Sequence, residues 1–94
     1  MVTIDRNTTG AMWIRAIFRY YCKLYDCTVI KVSESTYAAE GEEENRKEAE
    51  FHYERAMATL LIQIINARAK SPKRPSKTVT LEVIRRFTKE LWSV

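Results

Sequence analysis

The chain has 94 residues, 46% of them hydrophobic and 30% charged, with 16 basic and 12 acidic side chains and a formal net charge of +4. This length holds one domain and excludes a second domain, a large doubly wound sheet or a barrel enzyme. Two Trp, three Phe and five Tyr argue against disorder, and two Gly and two Pro leave few breaks for a turn-rich β-sandwich. The net charge is itself a remainder: residues 1–32 sum to +3, residues 33–55 to −5 and residues 56–94 to +6.

In chain order, the first predicted helix runs from about Gly10 to Tyr25, with Thr8 or Thr9 as its N-cap. Arg15, Arg19 and Lys23 step by four and form one basic stripe, while Trp13, Ile17, Tyr20, Tyr21 and Leu24 make the remainder apolar. Phe18, Tyr20 and Tyr25 alternate with aliphatic residues at helical spacing, which predicts core packing over base stacking. Arg15 and Arg19 interrupt the apolar stretch that a secretory signal would need. Cys22 and Cys27, placed five positions apart on one helix, would point to different sides, which predicts two unbridged thiols in a reducing compartment. Cys27–Val32 is β-branched, but no second strand is visible for it, so it reads as an extended connector or helix end.

A long second helix is expected over about 36–70, capped by Ser33, Ser35 or Thr36 and carrying Glu40, Glu42, Glu43 and Glu44 at the positive end of its dipole. Its polar residues Arg55, Thr59, Gln63, Asn66 and Lys70 predict a single narrow exposed strip, leaving Leu60, Leu61, Ile62, Ile64 and Ile65 buried. Even from Glu42, such a helix is roughly 43 Å long at 1.5 Å per residue. It therefore outgrows a body about 30 Å across, and the acidic start is expected to bend or project. Tyr53, Met57, Leu60, Ile64 and Ala67 follow heptad spacing over two heptads, the basis for considering a homodimer. A basic loop, 71–77, is broken by Pro72 and Pro75. A last helix follows over about 80–91, capped by Thr80, with Leu81, Ile84, Phe87 and Leu91 inward and Arg85, Arg86 and Lys89 outward. The expected architecture is all-α: a small three-helix antiparallel bundle with a long central helix, in one domain over 1–94.

Catalytic chemistry finds little support. There is no Gly-rich phosphate loop, zinc-like Cys/His spacing or Ser nucleophile elbow. The single His52, four residues after Glu48, reads as an exposed helical pair. A Cys–His pair would require the fold to bring Cys22 or Cys27 onto His52. No catalytic residue, metal ligand or cofactor is assigned.

Nucleic-acid binding has the stronger signal: Lys70, Lys73, Arg74 and Lys77 crowd the Pro-punctuated loop, followed by Arg85, Arg86 and Lys89. Ser71-Pro72-Lys73-Arg74 resembles, in one copy, the Ser-Pro-basic-basic repeats of histone tails. The loop is too long for a helix-turn-helix. The expected function is a non-enzymatic, intracellular accessory protein, cytoplasmic or nuclear, acting on nucleic acid or a nucleic-acid-processing complex. The alternative is a regulator of a partner enzyme, similar in size to phage and mobile-element accessory proteins. It would dock through Glu42, Glu43, Glu44 and Glu48, with Arg15, Arg19 and Lys23 as a second contact, unless that stripe pairs with Glu48, Glu50 or Glu54 on the second helix. With no run of 18 apolar residues, no membrane span is expected.

Overall fold

A computed structural model describes residues 1–93. Its elements are β1 (Val2–Thr3), α1 (Ala11–Leu24), β2 (Thr28–Lys31), β3 (Thr36–Glu40), α2 (Glu43–Lys70) and α3 (Ser76–Trp92). The three helices are present, but the fold is not all-α: the strands form an antiparallel sheet in the order β1-β3-β2.

The sheet grows from the β-branched run Thr28–Ile30, which finds its partner in the segment expected to start the second helix. Val29 faces Ala39, Ile30 faces Ala38 and Lys31 faces Tyr37, and β1 adds Val2 opposite Tyr37. Ala38, Ala39 and Glu40 are good helix formers, so local propensity points the wrong way and tertiary pairing overrides it. The turn closes where the Val32 and Ser33 amides donate to the Thr36 carbonyl. Residues directly opposite in an antiparallel pair share a face. One face therefore carries Val2, Tyr37, Ala39 and Val29 into the core, while Thr28, Ile30, Ala38 and Glu40 point outward.

Gly41, at φ 151, ends β3, and Glu42 is extended, so α2 starts at Glu43 with Glu43 and Glu44 in its first turn. Neither Ser33, Ser35 nor Thr36 caps it. This acidic start does not project. Arg46 Nε donates to the Gly41 carbonyl at 3.0 Å and the Cys27 thiol to the Asn45 carbonyl at 3.4 Å, which ties the helix to the sheet.

α1 begins one residue after Gly10, whose φ of 77 makes it the N-cap in place of Thr8 or Thr9. The Thr8 carbonyl instead accepts from the Ala11 amide at 3.0 Å, at the end of a turn set by the Asp5 carboxylate on the Asn7 amide. Ile17, Phe18 and Cys22 from α1 meet Ala49, Tyr53, Ala56 and Leu60 from α2 in the core, with Phe18 edge-on to Tyr53. α3 starts four residues earlier than expected, behind Pro75, because proline cannot donate an amide and suits the helix entrance. Its core contacts shift accordingly: Val79, Val83, Ile84 and Thr88 are buried, and Leu81 is 41% exposed.

Successive helices run antiparallel. Tyr25 stacks on His52 near the start of α2, while Ile14 shares a hollow with Met57 further along. α3 returns along α2, with Val79 beside Arg68 and Phe87 beside Ala56 and Thr59. α1 and α3 are consequently parallel neighbours, joined by Gly10 against Ile84 and Tyr20 against Trp92. The molecule measures 46 × 29 × 19 Å, its long axis about the length of α2. The excess length of that helix emerges at its C-terminal end. Beyond Leu60 no residue of α2 is buried. From there α2 and the first turns of α3 continue as a two-helix arm, with Ile64 and Ala67 half-buried and Val79 buried.

Candidate nucleic-acid interface

The tip of this arm gathers the loop cations. Two antiparallel helices joined by the five residues Ser71–Pro75 form a helical hairpin. Lys70 ends α2, Lys73 and Arg74 lie in the loop, and Lys77 sits in the first turn of α3, all four exposed. Arg68 joins them from the last turn of α2, where a cation also suits the negative end of the helix dipole. Between Glu54 and Glu82 the chain carries six basic residues and no acidic one. This stretch of chain is of one sign, and the acidic group that reaches the tip is Glu82 from α3.

Arg74 is the exception to its availability. Its guanidinium makes a two-pronged contact with the Glu82 carboxylate, with Nη1 3.0 Å from Oε2 and Nη2 on Oε1. The same contact holds the Glu82 carboxyl below its usual range and pushes the Arg74 guanidinium up. Arg74 is therefore a loop anchor that fixes the tip onto α3. Among the described residues, Lys70, Lys73, Lys77, Arg85, Arg86 and Lys89 form no ion pair. Arg85, Arg86 and Lys89 stand exposed on the outer face of α3, along a shallow depression that also includes Glu82 and Glu90. Charge there is mixed, so the outer face of α3 is a weaker anion surface than the tip.

The residues expected for partner docking lie in two places, Glu42, Glu43, Glu44 and Glu48 at the start of α2 and Arg15, Arg19 and Lys23 on α1. Glu43 pairs with Lys47 at 3.0 Å, and Glu48 with His52 at 3.2 Å. Glu42 serves as the N-cap and Glu44 is exposed in the first turn. Glu50 pairs with the N-terminal ammonium at 3.3 Å. Arg15, Arg19 and Lys23 form no ion pair with Glu48, Glu50 or Glu54 among the described residues, and they lie apart from the arm on the shorter α1. Tyr20 of α1 packs edge-on against Trp92 of α3, and Arg15, Arg19 and Lys23 form a separate stripe on α1.

The cysteines are closer than a shared helix would allow. α1 ends at Leu24, Asp26 adopts φ 58, and the chain doubles back so that the Cys27 amide donates to the Cys22 carbonyl at 2.7 Å. Both thiols are free. Burial pushes Cys22 up to about 12, with Cys27 beside it adding to the rise, so its nucleophilic thiolate form is suppressed at neutral pH. Neither thiol hydrogen-bonds to His52, whose ring stacks on Tyr25 with centroids 5.1 Å apart. Among the described residues, no group of three or more His, Cys, Asp or Glu side chains is placed to hold a metal ion. No helix there is long and apolar enough to cross a membrane.

The single narrow exposed strip expected on α2 is overturned. Phe51, Leu61, Ile62 and Ile65 are all more than half exposed. α2 has core contacts on one side only, and its apolar residues occur on both.

No protein-family model, curated protein or solved structure matches this chain.

Proposed function

We propose that the protein is a non-enzymatic nucleic-acid-binding accessory factor that grips phosphates with the tip of its helical arm. The observation that supports this reading is the hairpin end, where Lys70, Lys73 and Lys77 stand exposed and without an ion pair around a five-residue loop whose one acidic neighbour, Glu82, is taken by Arg74. Clustered cations without internal partners bind polyanions by releasing condensed counterions, which requires no base-specific contact. Arg85, Arg86 and Lys89 would contribute a second, more distant set of contacts along α3. Free thiols in a fold that does not need a disulfide fit a reducing compartment, cytoplasmic or nuclear.

Binding to duplex and single-stranded DNA and RNA at about 50 mM salt tests this, since electrostatic affinity is strongest there. Measurable binding that weakens steeply with salt is expected. Lys73→Ala with Lys77→Ala should lower the slope of log affinity against log salt by about two for duplex DNA. Undetectable binding at that salt overturns the proposal, and an unchanged slope overturns the tip assignment. A second reading, docking onto protein, is favoured by a separate observation: the exposed apolar face of α2.

A further inference from the structure

The outer face of α2 has a repeat of its own. Phe51, Arg55, Ala58, Ile62, Ile65 and Ala69 follow each other at spacings of four, three, four, three and four. This is the seam spacing by which one helix packs along another. At about 100° per residue, the seam lies opposite Ala49, Tyr53, Ala56 and Leu60, the residues that face the core. All six seam residues are exposed, and Leu61 flanks them. Phe51, Leu61, Ile62 and Ile65, at 58%, 58%, 60% and 55% exposure, each keep more than half of their surface in water.

We propose that this face is the interface of a homodimer in which α2 pairs antiparallel with α2 of a second copy, about a two-fold axis level with Leu60. The seam is complementary to itself in that arrangement. Running antiparallel, Phe51 lies over the partner's Ala69, Ala58 over the partner's Ile62, and Arg55 beside the partner's Ile65. Phe51 and Ile62 thus meet small residues, and all six positions fall into register together. Along one edge Glu54 comes opposite the partner's Arg68, and Leu61 meets the partner's Leu61. On the other edge His52 faces the partner's Asn66, and Thr59 faces its own copy.

Neither Glu54 nor Arg68 has an ion-pair partner within the described residues of one chain. The wider charge distribution selects the same polarity. Within α2, residues 43–55 carry five acidic and three basic groups, and residues 56–70 carry two basic groups and no acidic one, so antiparallel copies set opposite signs side by side. A parallel pair would align like with like. Ala58, Ala69 and the stems of Glu54, Arg55 and Arg68 raise the buried area toward the ~800 Å² per partner of an ordinary stable interface.

Sedimentation or light scattering of the full chain from 1 to 200 µM tests the proposal. A concentration-dependent approach to twice the 11.0 kDa chain mass is expected. Ile62→Gln with Ile65→Gln, exposed changes to a good helix former, should raise the dissociation constant at least about tenfold while leaving helicity by circular dichroism unchanged. Glu54→Arg and Arg68→Glu should each weaken the dimer, and the two together should restore it. A chain monomeric at 200 µM, or a dimer indifferent to the glutamines, overturns the proposal and leaves the face to another occupant. Charge reversals that fail to rescue one another overturn the antiparallel register. None of these readouts involves nucleic acid, so they are independent of the function proposed above.

Discussion

Gly10 combines a backbone requirement with a packing one. Its φ of 77 is uncommon for a residue with a side chain, and an added Cβ would lie 2.8 Å from Ile84 Cδ1 and 3.2 Å from Ile84 Cγ2. The glycine thus sets both the entry to α1 and how closely that helix approaches α3. Gly10→Ala should destabilise the fold by about 2 kcal/mol or more in urea denaturation, from the left-handed backbone together with crowding of the core. Adding Ile84→Val removes Cδ1, the nearest atom. The double variant should therefore cost less than the sum of the two single ones. Strict additivity would mean that close approach is not a cause.

A second prediction at this scale concerns pH. Burial pushes Cys22 and Tyr53 each up to about 12, and Cys27 and Tyr21 are raised by burial as well. For an acid whose folded value lies above its unfolded one, the fold favours the neutral form. That stabilisation is complete below the unfolded values, 9.0 for Cys and 10.0 for Tyr, and is lost as pH climbs toward about 12. The thermal midpoint should be unaffected by these groups up to about pH 9, then fall by about 10 °C or more by pH 11. In Cys22→Ala the decline between pH 9 and 10 should be shallower, left to Cys27, and should steepen near pH 10, where Tyr53 takes over. Scanning calorimetry across this range reads both effects.

At the scale of elements, the helices were legible where hydrophobic periodicity and breakers agree. α1 carries its apolar face at helical spacing, and Pro72 and Pro75 end α2 where expected. β3 was illegible because Thr36-Tyr37-Ala38-Ala39-Glu40 has no β-branched run, and its extended state is set by β1 and β2 on either side. The burial of α2 was misread for a different reason. Apolar residues on both sides of a helix look like deep burial in sequence, yet here one set faces a core and the other faces water. The tip cations were legible as a basic loop, but the arm that isolates them, and the capture of Arg74 by Glu82, depend on how α3 folds back.

The sheet assignment can be tested at the same scale. Ala39 is 6% exposed on the core face of the central strand, and Ala38 is on the opposite face. Ala39→Asp should cost 3 kcal/mol or more by burying a carboxylate without a partner, roughly the penalty of an uncompensated charge. Ala38→Asp should cost under about 1 kcal/mol. A strand repeats this face every second residue, so Tyr37→Asp, also on the core face, should be costly as well, whereas positions two apart on a helix lie about 200° apart. Equal costs at Ala38 and Ala39 in chemical denaturation would argue against the strand.

At the scale of the whole molecule, the arm and the α2 seam make one geometric statement. In an antiparallel pair centred on Leu60, the two copies of Lys70 are separated by roughly 30 Å along the helix pair, at 1.5 Å per residue. The tips lie slightly further out, close to the 34–36 Å that separates successive turns of duplex DNA on one side. Arg85, Arg86 and Lys89 stand on the outer face of α3, away from the seam, so dimerisation leaves them uncovered. If both proposals hold, one dimer reaches two successive turns of a duplex, and the second contact becomes intramolecular. A duplex of about 20 base pairs should then bind at least about tenfold more tightly than one of about 10, beyond the gain from counting more sites. Ile62→Gln with Ile65→Gln removes no charge, so it should abolish this length preference while retaining the weaker binding of a single tip. It should also roughly halve the salt slope measured on the longer duplex. Length preference that persists in the monomeric variant would place both contacts within one chain, between the arm tip and the outer face of α3. Such a result would leave the dimer unaffected and move the second contact to Arg85, Arg86 and Lys89.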